Sequence, residues 1–332
     1  MPTYARAPLT FVKGKGSWLI DENSEKYLDM GAGIAVNVLG HAHPDLVQVL
    51  QKQAENLWHT SNLYNVSNQK KLADVLVEET FAQTVFFTNS GTESMECAIK
   101  MARKFHYEKG MPERTKIITF EGSFHGRSIG MISAAGSEKL TKGFGPLLPG
   151  FVQIPFGDHE ALIAEIDETI AAIVIEPIQG EGGILPVPDQ CLKGLRDCCD
   201  ENGILLIFDE IQCGMGRTGK LFAHEWAGVE PDIMAIAKGI GGGFPLGACL
   251  ATSNAAECMT AGTHGSTYGG NPLATAVGLE VMRHVNTPAF LNNVNFLASN
   301  FRQSLEALVA NHPTIFKSVR GSGLMLGIEC VV

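Results

Sequence analysis

Two apolar runs decide the fold of this chain: ILLIFDEIQ at residues 204–212 and IMAIAKGIGGG at residues 233–243. Both have the length and the aliphatic content of a buried strand, and both lead into polar residues or glycines. If the two strands belong to one parallel sheet, their carboxyl ends bring Asp209 and Lys238 into a single cleft. These two residues are therefore the first candidate site.

An amine and a carboxylate in a buried cleft have a specific chemical use. Burial lowers the pKa of a lysine, and that supplies the unprotonated nucleophile that forms a Schiff base with an aldehyde such as pyridoxal phosphate. A carboxylate facing the pyridine nitrogen of that cofactor keeps the ring protonated and able to accept electrons. The alternative is that the two residues form an ordinary ion pair at a sheet edge. Taken alone, Lys238 and Asp209 favour this alternative.

The surrounding chain alternates short apolar runs with helical stretches. The runs are TVFFTNS, TKIITF, IAAIVIEPI and GACLAT, and they are separated by segments such as TESMECAIKMARKFHYEKG and CLKGLRDCCDENG. This alternation predicts an α/β fold with a mainly parallel sheet covered by helices. After Asn271 and Pro272, two long helical patterns and the strand-like SVRGSGLMLGIECVV predict the beginning of a second, smaller domain of α+β type.

The composition is that of a soluble globular chain with small molecules as partners. Its 332 residues are 45% hydrophobic and 18% charged, and the net charge is -10. This balance argues against nucleic acid, because phosphate contacts need clustered Lys and Arg, and the apolar runs are far too short to span a bilayer. The first residues contain no apolar signal region, so the sequence predicts a cytoplasmic protein.

Cysteines and histidines give little indication of a metal site. The eight cysteines form no CxxC pair, and we expect them to be small core residues in a reducing compartment. His41 and His43 form an HxH pair, yet no further ligands sit nearby and Pro44 follows at once. A loop leading into a helix accounts for this pair, and the sequence predicts no metal.

One glycine-containing turn is suited to a phosphate. TNSGTESMECAIK follows the run TVFF and opens a helix at a capping box between Ser90 and Glu93, with Gly91 and Thr92 in the first turn. Exposed N–H groups there, together with the helix dipole, would hold a phosphate. A well-capped helix without a ligand is the alternative, but the position after a parallel strand favours binding.

Two further turns carry groups for a flat, charged ligand. GSFHGRS at residues 122–128 places Phe124 where a ring can stack on a cofactor and Arg127 where a guanidinium can bind a carboxylate. EPIQGEGG at residues 176–183 ends a strand with Glu176 and Glu181 among glycines. Ordinary surface or core roles would explain each segment equally well on its own.

Two more loops remain. GTHGSTYGGNPLA, at residues 262–274, supplies the hydroxyls of Ser266 and Thr267 ahead of a helix, which suits a phosphate but also a plain loop. GMGRTGKL matches the GxxxxGK spacing of a nucleotide-binding loop, but Leu221 stands where a Ser or Thr is needed for magnesium. An NTPase is therefore disfavoured.

Taken together and in this order, NSGTE, FHGR, EPIQGEGG, FDEIQCGMGRTG, AKGIGGG and GTHGSTYGGNPLA resemble the class III pyridoxal-phosphate aminotransferases of the ornithine and acetylornithine type. The likeness covers nearly the whole chain. It implies the fold type I architecture, pyridoxal 5'-phosphate as cofactor, and a homodimer whose active sites lie at the subunit interface. It also implies amino transfer between an ω-amino acid and 2-oxoglutarate.

The resemblance assigns a role to each motif residue. On the cofactor side, Lys238 would be the Schiff-base lysine, Asp209 the partner of the pyridine nitrogen, Gln212 the donor to the ring hydroxyl, Phe124 the stacking ring, and Gly91 and Thr92 the phosphate site. On the substrate side, Arg127 would bind the α-carboxylate, Glu181 would gate that site, Ser266 would lie close to the substrate, and Thr267 would reach the phosphate of the neighbouring subunit.

Within the family, LDMGAGIAVNVLGHAHP and HTSNLY are most similar to acetylornithine aminotransferases, and the small Gly33 leaves room for an acylated α-amino group. The implied reaction moves the δ-amino group of N-acetylornithine to 2-oxoglutarate, giving N-acetylglutamate semialdehyde and glutamate in arginine biosynthesis. One alternative is another class III ω-aminotransferase acting on ornithine, succinyl-diaminopimelate or 4-aminobutyrate. The other is a truncated homologue that does not turn over.

The resemblance also divides the chain. We expect residues 1–45 to be an N-terminal segment that packs with the small domain, residues 46–275 to be the large cofactor-binding domain, and residues 276–332 to begin the small domain. Family members continue past the RGSGLMLG strand with a tail whose arginine pairs with the gating glutamate. The expectation is therefore a C-terminally shortened chain with an incomplete small domain.

Overall fold

The computed structural model describes residues 1–331. Its strands include the apolar run that carries Asp209 and the one that precedes Lys238, at Leu205–Asp209 and Ile233–Ile236. In chain order they are β1 (Phe11–Lys15), β2 (Trp18–Asp21), β3 (Lys26–Leu28), β4 (Thr84–Thr88), β5 (Lys116–Phe120), β6 (Phe151–Ile154), β7 (Ile170–Ile175), β8 (Ile178–Gln179), β9 (Leu185–Pro186), β10 (Leu205–Asp209), β11 (Ile233–Ile236), β12 (Gly247–Ala251), β13 (Phe316–Ser322) and β14 (Met325–Cys330).

The helices fall between the strands, as the alternating pattern predicts. They are α1 (Ala32–Ala35), α2 (Pro44–Ala54), α3 (Ser67–Glu78), α4 (Gly91–Glu108), α5 (Ile129–Ala135), α6 (Glu138–Thr141), α7 (His159–Glu165), α8 (Asp189–Asn202), α9 (Ser253–Ala256), α10 (Pro272–Val285) and α11 (Pro288–Asn311), with short 3-10 turns at Ala223–Trp226 and Lys238–Gly241. Within residues 1–331, no helix combines the length and the apolar character needed to cross a bilayer.

A seven-stranded sheet with the order β4-β12-β11-β10-β7-β5-β6 forms the centre of the fold. Strand β10 pairs in parallel with β11 and β7, and β5 pairs in parallel with β6 and β7. Only β12 runs antiparallel to its neighbours β11 and β4. A parallel return needs a crossover of a dozen or more residues, and the short connection from β11 to β12 leaves no room for one. The predicted mainly parallel α/β fold is confirmed.

Both faces of the sheet are buried, because helices cover each of them. Ile173, Leu206 and Phe208 lie in an apolar cluster on one face, with Leu72 of α3 and Val281 of α10. Val174 and Ile207, one position along the same strands, lie in a second cluster with residues of α4. Alternate side chains of a strand point to opposite faces, so a strand covered on both faces reads as a continuous apolar run. This is why IAAIVI and ILLIF carry no polar interruption.

Three smaller antiparallel sheets lie beside the central sheet, and one of them is the short pair of β8 and β9. Strands β1, β2 and β3 form the N-terminal sheet, and β13 pairs with β14 in a hairpin that packs near α11. The division at residues 275 and 276 remains a proposal: α10 runs through it without a break and packs on α2 and α3. Val332, the last residue of the proposed small domain, lies outside the described residues.

Candidate active site

A cavity of about 350 Å³ lies at the carboxyl ends of the parallel strands. Strands β4, β7, β10 and β11 each end at its wall, which is the edge where ligands bind in open α/β sheets. Most of the predicted site residues line this cavity: Gly91, Thr92, Phe124, Glu181, Asp209, Gln212 and Lys238. The cleft that the sequence predicted for Lys238 and Asp209 therefore exists, and it also collects residues from three other turns.

Lys238 follows β11 and begins a tight turn. Its φ is +48°, in the left-handed region that a residue with a side chain enters only at a cost of about 1–3 kcal/mol. Burial lowers the pKa of its amine, although the negative charges of Asp209, Glu181 and Glu176 oppose that shift. A strained backbone and a depressed pKa at one lysine are typical of a site that uses the unprotonated amine.

Asp209 is held in a fixed orientation by two hydrogen bonds. The backbone N–H of Ile211 donates to Oδ1 at 3.1 Å, and Nδ1 of His125 lies 2.8 Å from Oδ2. Burial alone would lower the pKa of His125, but the hydrogen bond to Asp209 and the charges of Asp209 and Glu176 outweigh it, so the net shift is upward. His125 therefore holds the Asp209 carboxylate in place through this hydrogen bond.

His125 is a site residue that the sequence reasoning passed over. The histidine stands between Phe124 and Gly126, in the segment whose ring and arginine are the predicted site residues. It is buried and lines the cavity together with Asp209. The only signal in the sequence was its place in that segment, and spacing alone does not say which way a loop side chain turns.

Glu176, which the sequence analysis names beside Glu181 without giving it a role, also lines the cavity. The buried carboxylate accepts a hydrogen bond from the N–H of Phe124 at 2.9 Å and another from the N–H of Gly180 at 3.1 Å. Burial and the nearby charge of Asp209 raise its pKa to about 7, against the opposing effects of His125 and the two N–H groups. Glu176 thus ties the loop that carries Phe124 to the turn that carries Gly180.

The start of α4 forms the polar corner of the cavity. Ser90 caps the helix, since its Oγ accepts a hydrogen bond from the N–H of Glu93 at 3.3 Å. The predicted capping box is wrong in its second half: the Glu93 carboxylate accepts from the N–H of Asn89 at 2.7 Å, one residue before the cap. The N–H groups of Gly91 and Thr92 fall in the first turn, where a helix offers unpaired donors.

Phe124 and Arg127 lie at different depths. Phe124 is half-buried and lines the cavity, whereas Arg127 is exposed and stands outside its wall, with its guanidinium carbon 5.4 Å from the centre of the Phe124 ring. The N–H of Arg127 lies 3.4 Å from Oγ1 of Thr92, so the two turns contact each other. The structure thus places Arg127 at the rim.

Ser266 and Thr267 lie outside the cavity wall formed by residues of this one chain. Ser266 is adjacent to it, because its Oγ accepts a hydrogen bond from Nδ2 of Asn89 at 3.2 Å. Thr267 is exposed. Gly33 also lies outside the wall and has a φ of +67°, which a glycine adopts without strain.

Two expectations about cysteine and histidine are wrong. Cys191 and Cys330 are exposed, whereas the other six cysteines are buried. His43 does have other potential ligands nearby, because the fold brings Asp45 and His284 beside it. His41, the other member of the HxH pair, turns away and places Nε2 2.7 Å from Oδ2 of Asp29. The two histidines therefore belong to different clusters.

Comparison with known proteins identifies the family. The family model described as Aminotransferase class-III matches residues 2–332. The chain belongs to the class-III aminotransferases. Enzymes of this class depend on pyridoxal phosphate. The class-III domain makes this chain an aminotransferase. The predicted fold and the predicted enzyme class are therefore confirmed.

Curated relatives of this class-III chain are similar over nearly its whole length. It is 64% identical to the acetylornithine aminotransferase of Rhodobacter capsulatus over 329 residues, which are 99% of this chain and 84% of that protein. It is 58% identical to the acetylornithine aminotransferase of Brucella melitensis over 330 residues, or 99% of this chain and 82% of that protein. These sequence identities confirm the predicted resemblance to the acetylornithine type.

Solved structures give the same fold. The ornithine aminotransferase of Toxoplasma gondii superimposes with a TM-score of 0.96 at 34% identity, covering 99% of this chain and 79% of that one. A further structure of that enzyme, with a TM-score of 0.95, has pyridoxal phosphate at partial occupancy in its active site. N-acetylornithine aminotransferase of Stenotrophomonas maltophilia gives a TM-score of 0.84 at 40% identity, covering 97% of this chain and 80% of that one.

Proposed function

We propose that this chain binds pyridoxal 5'-phosphate in the described cavity and transfers the δ-amino group of N-acetylornithine to 2-oxoglutarate. The products would be N-acetylglutamate semialdehyde and glutamate, as in arginine biosynthesis. The observation that carries the proposal is the convergence of Lys238, Asp209 and the first turn of α4 on one cavity. The names of the relatives at 58% and 64% identity support N-acetylornithine as the amino donor.

The residues of the cavity fit this cofactor on chemical grounds. The amine of Lys238, with its lowered pKa, matches the aldehyde of the cofactor. The buried carboxylate of Asp209 matches the ring nitrogen, and the ring of Phe124 matches the face of the cofactor ring. The first turn of α4 offers backbone donors to the phosphate. Two glycines keep the walls close: a Cβ on Gly126 would meet Oγ1 of Thr92, and a Cβ on Gly91 would lie 2.8 Å from Cδ1 of Ile211.

Each assigned residue then has one task. When bound, pyridoxal phosphate supplies an aldehyde that takes up the amino group and a ring that withdraws electrons from the neighbouring carbon. Lys238 would attach the cofactor through Nζ, give way to the amino group of the substrate, and then move a proton to and from the substrate carbon. Asp209, held by His125, would keep a proton on the pyridine nitrogen, and Gln212 would orient the ring hydroxyl.

The substrate groups are assigned to the rim. Arg127 is exposed beside the Phe124 ring and carries a positive charge suited to the α-carboxylate. Glu181 lines the cavity with a carboxylate that would gate this site, and Ser266 would lie near the substrate.

We further propose a homodimer in the cytoplasm. Thr267 is exposed and lies outside the wall of its own cavity, which is the position expected of a residue that reaches the phosphate of a neighbouring subunit. All eight cysteines are free thiols, which fits a reducing compartment. Gel filtration with light scattering tests the dimer directly, and a monomer carrying full activity would contradict it.

The two half-reactions are tested separately with a panel of amino donors. The protein loaded with pyridoxal phosphate is mixed with N-acetylornithine, ornithine, succinyl-diaminopimelate or 4-aminobutyrate, and loss of the cofactor absorbance is followed. Addition of 2-oxoglutarate should restore that absorbance. We expect N-acetylornithine to react with the highest kcat/KM. Faster reaction with another donor favours a different ω-aminotransferase, and no reaction with any donor favours a non-catalytic homologue.

A further inference from the structure

A histidine and carboxylate cluster lies apart from the active-site cavity, between the start of α2 and the end of α10. His43, Asp45 and His284 each offer one ligand atom, and these atoms all lie within 4.8 Å of one another. His284 approaches two carboxylates, with its Nε2 2.9 Å from Oδ2 of Asp45 and 3.2 Å from Oε1 of Glu280. Three potential ligands from the start of α2 and the end of α10 thus lie close together, and Glu280 adjoins them through His284.

We propose that His43, Asp45, His284 and Glu280 bind one divalent ion of the zinc type. Two imidazoles with one or two carboxylates are a donor set for Zn²⁺ and Co²⁺, whereas Mg²⁺ and Ca²⁺ prefer oxygen ligands alone. Bond lengths of about 2.1 Å in a tetrahedral site place neighbouring donors about 3.4 Å apart. The distances from Nε2 of His284 to Asp45 and Glu280, 2.9 Å and 3.2 Å, are close to this spacing, and the ligand atoms of His43, Asp45 and His284 all lie within 4.8 Å of one another.

One ring nitrogen of the cluster lacks a partner. Nδ1 of His43 is shielded from solvent and has no hydrogen-bond partner within residues 1–331. A buried polar atom of this kind calls for an ion or a water molecule in most proteins. The rings of His43 and His284 are in contact, with centroids 4.8 Å apart and planes at 67°, and a nitrogen of each lies within 4.8 Å of the other.

Charge at this position favours a cation. Asp45 and Glu280 bring two carboxylates to the cluster, and the negative end of the α10 dipole adds to them, while the positive end of the α2 dipole near His43 opposes them. Arg283 supplies positive charge to these carboxylates, with its guanidinium 3.3 Å from Oδ2 of Asp45 and in contact with Glu280. Its side chain is 63% exposed, so it can move into solvent when a divalent ion replaces it.

The ion would join two helices that enclose the Lys238 turn. A Cβ on Gly242, four residues after Lys238, would lie 2.9 Å from Leu46 of α2 and 2.9 Å from Val281 of α10. A bond between these helices near His43 and His284 would therefore restrain the walls of that turn. Any binding that is specific to the folded state also raises the unfolding temperature.

Titration of the full chain, loaded with pyridoxal phosphate, with Co²⁺ tests the proposal. The background carries Cys191→Ser and Cys330→Ser so that exposed thiols do not compete for the metal. We expect one equivalent of Co²⁺ to bind with the visible bands of a tetrahedral ion, and Zn²⁺ to displace it. His43→Gln and His284→Gln should each weaken binding at least tenfold. His159→Gln, which removes an exposed imidazole on α7, is the matched control and should leave binding within twofold.

Arg283→Gln separates a metal site from a purely ionic cluster. Removing the competing guanidinium should strengthen Co²⁺ binding severalfold, and a weaker affinity would contradict the assignment. Circular dichroism checks the fold of each variant, and Asp45→Asn provides a second route if His43→Gln fails to fold. Equal Co²⁺ binding by the wild type and by the His43→Gln, His284→Gln double variant would overturn the proposal, as would the absence of saturable binding. Neither result bears on the aminotransferase reaction.

Discussion

Nδ1 of His125 and Oδ2 of Asp209 lie 2.8 Å apart in the floor of the cavity, and the side chains are 0% and 3% exposed. The contact joins residues 84 positions apart in the chain. Because neither group meets water, the imidazole is the main side-chain partner that keeps Asp209 oriented. His125 is thus a positioning residue for Asp209 in the proposed reaction.

Replacing His125 tests this role. His125→Ala removes a charge-assisted hydrogen bond worth about 1.5–3 kcal/mol, and we expect kcat to fall about tenfold to hundredfold with a smaller change in KM. His125→Asn retains an N–H donor and should recover a large part of kcat. The pH profile of kcat should also shift in His125→Ala. Equal loss in both variants with an unchanged pH profile would indicate a purely structural role.

Lys238 should be the single point of covalent attachment. Borohydride reduction of the protein with pyridoxal phosphate should fix the cofactor to the peptide that contains Lys238, as measured by mass spectrometry. Lys238→Ala should lose the adduct completely, whereas Lys193→Ala, which changes an exposed lysine on α8, should keep it. An adduct that persists unchanged in Lys238→Ala would remove the basis of the proposed function.

Glu176 should make the stability of the cofactor-free protein depend on pH. Its pKa rises from 4.5 in the unfolded chain to about 7 in the fold. The folded state therefore keeps a proton that the unfolded state releases, so stability falls as the pH rises from 4.5 to about 7, by as much as about 3 kcal/mol.

Urea unfolding of Glu176→Gln across this pH range measures the effect. We expect a flatter profile than in the wild type. Near pH 4.5 the variant should be less stable by about 1 kcal/mol, because glutamine accepts only one of the two backbone hydrogen bonds, and this deficit should shrink as the pH rises. Glu201→Gln changes an exposed glutamate and should follow the wild-type profile. A wild-type slope that survives in Glu176→Gln would assign the pH dependence to another group.

Gly180 should control the position of Gln212. A Cβ on Gly180 would lie 1.6 Å from Oε1 of Gln212, so the glutamine must move when Gly180 becomes alanine. We expect Gly180→Ala to weaken binding of pyridoxal phosphate about tenfold, the loss of about one hydrogen bond. Gly194→Ala on α8 meets nothing within 4 Å and should stabilise the protein slightly without changing cofactor affinity. Fluorescence titration compares the two, and equal affinities would show that Gln212 does not contact the cofactor.

Much of the fold was predictable because the relevant signals are local. The uninterrupted apolar runs IAAIVI and ILLIF predict buried strands. The helical periodicity of the later segments likewise predicts α10 and α11. The convergence of Lys238 and Asp209 also followed from the sequence, since parallel strands end at the same edge. The reversed direction of β12 was not predicted, because strand direction depends on pairing in the sheet and leaves no mark on the apolar pattern.

The sequence by itself determined the element order, the family, and the residues at the turns where the strands end. Tertiary structure alone decided that His125 turns toward Asp209, that Glu176 ties two loops together, and that His43 meets His284 instead of acting with His41. The physical reason is the same in each case. These contacts join residues that are far apart in the chain, and their formation depends on sheet order, helix packing and side-chain direction, which local periodicity does not contain.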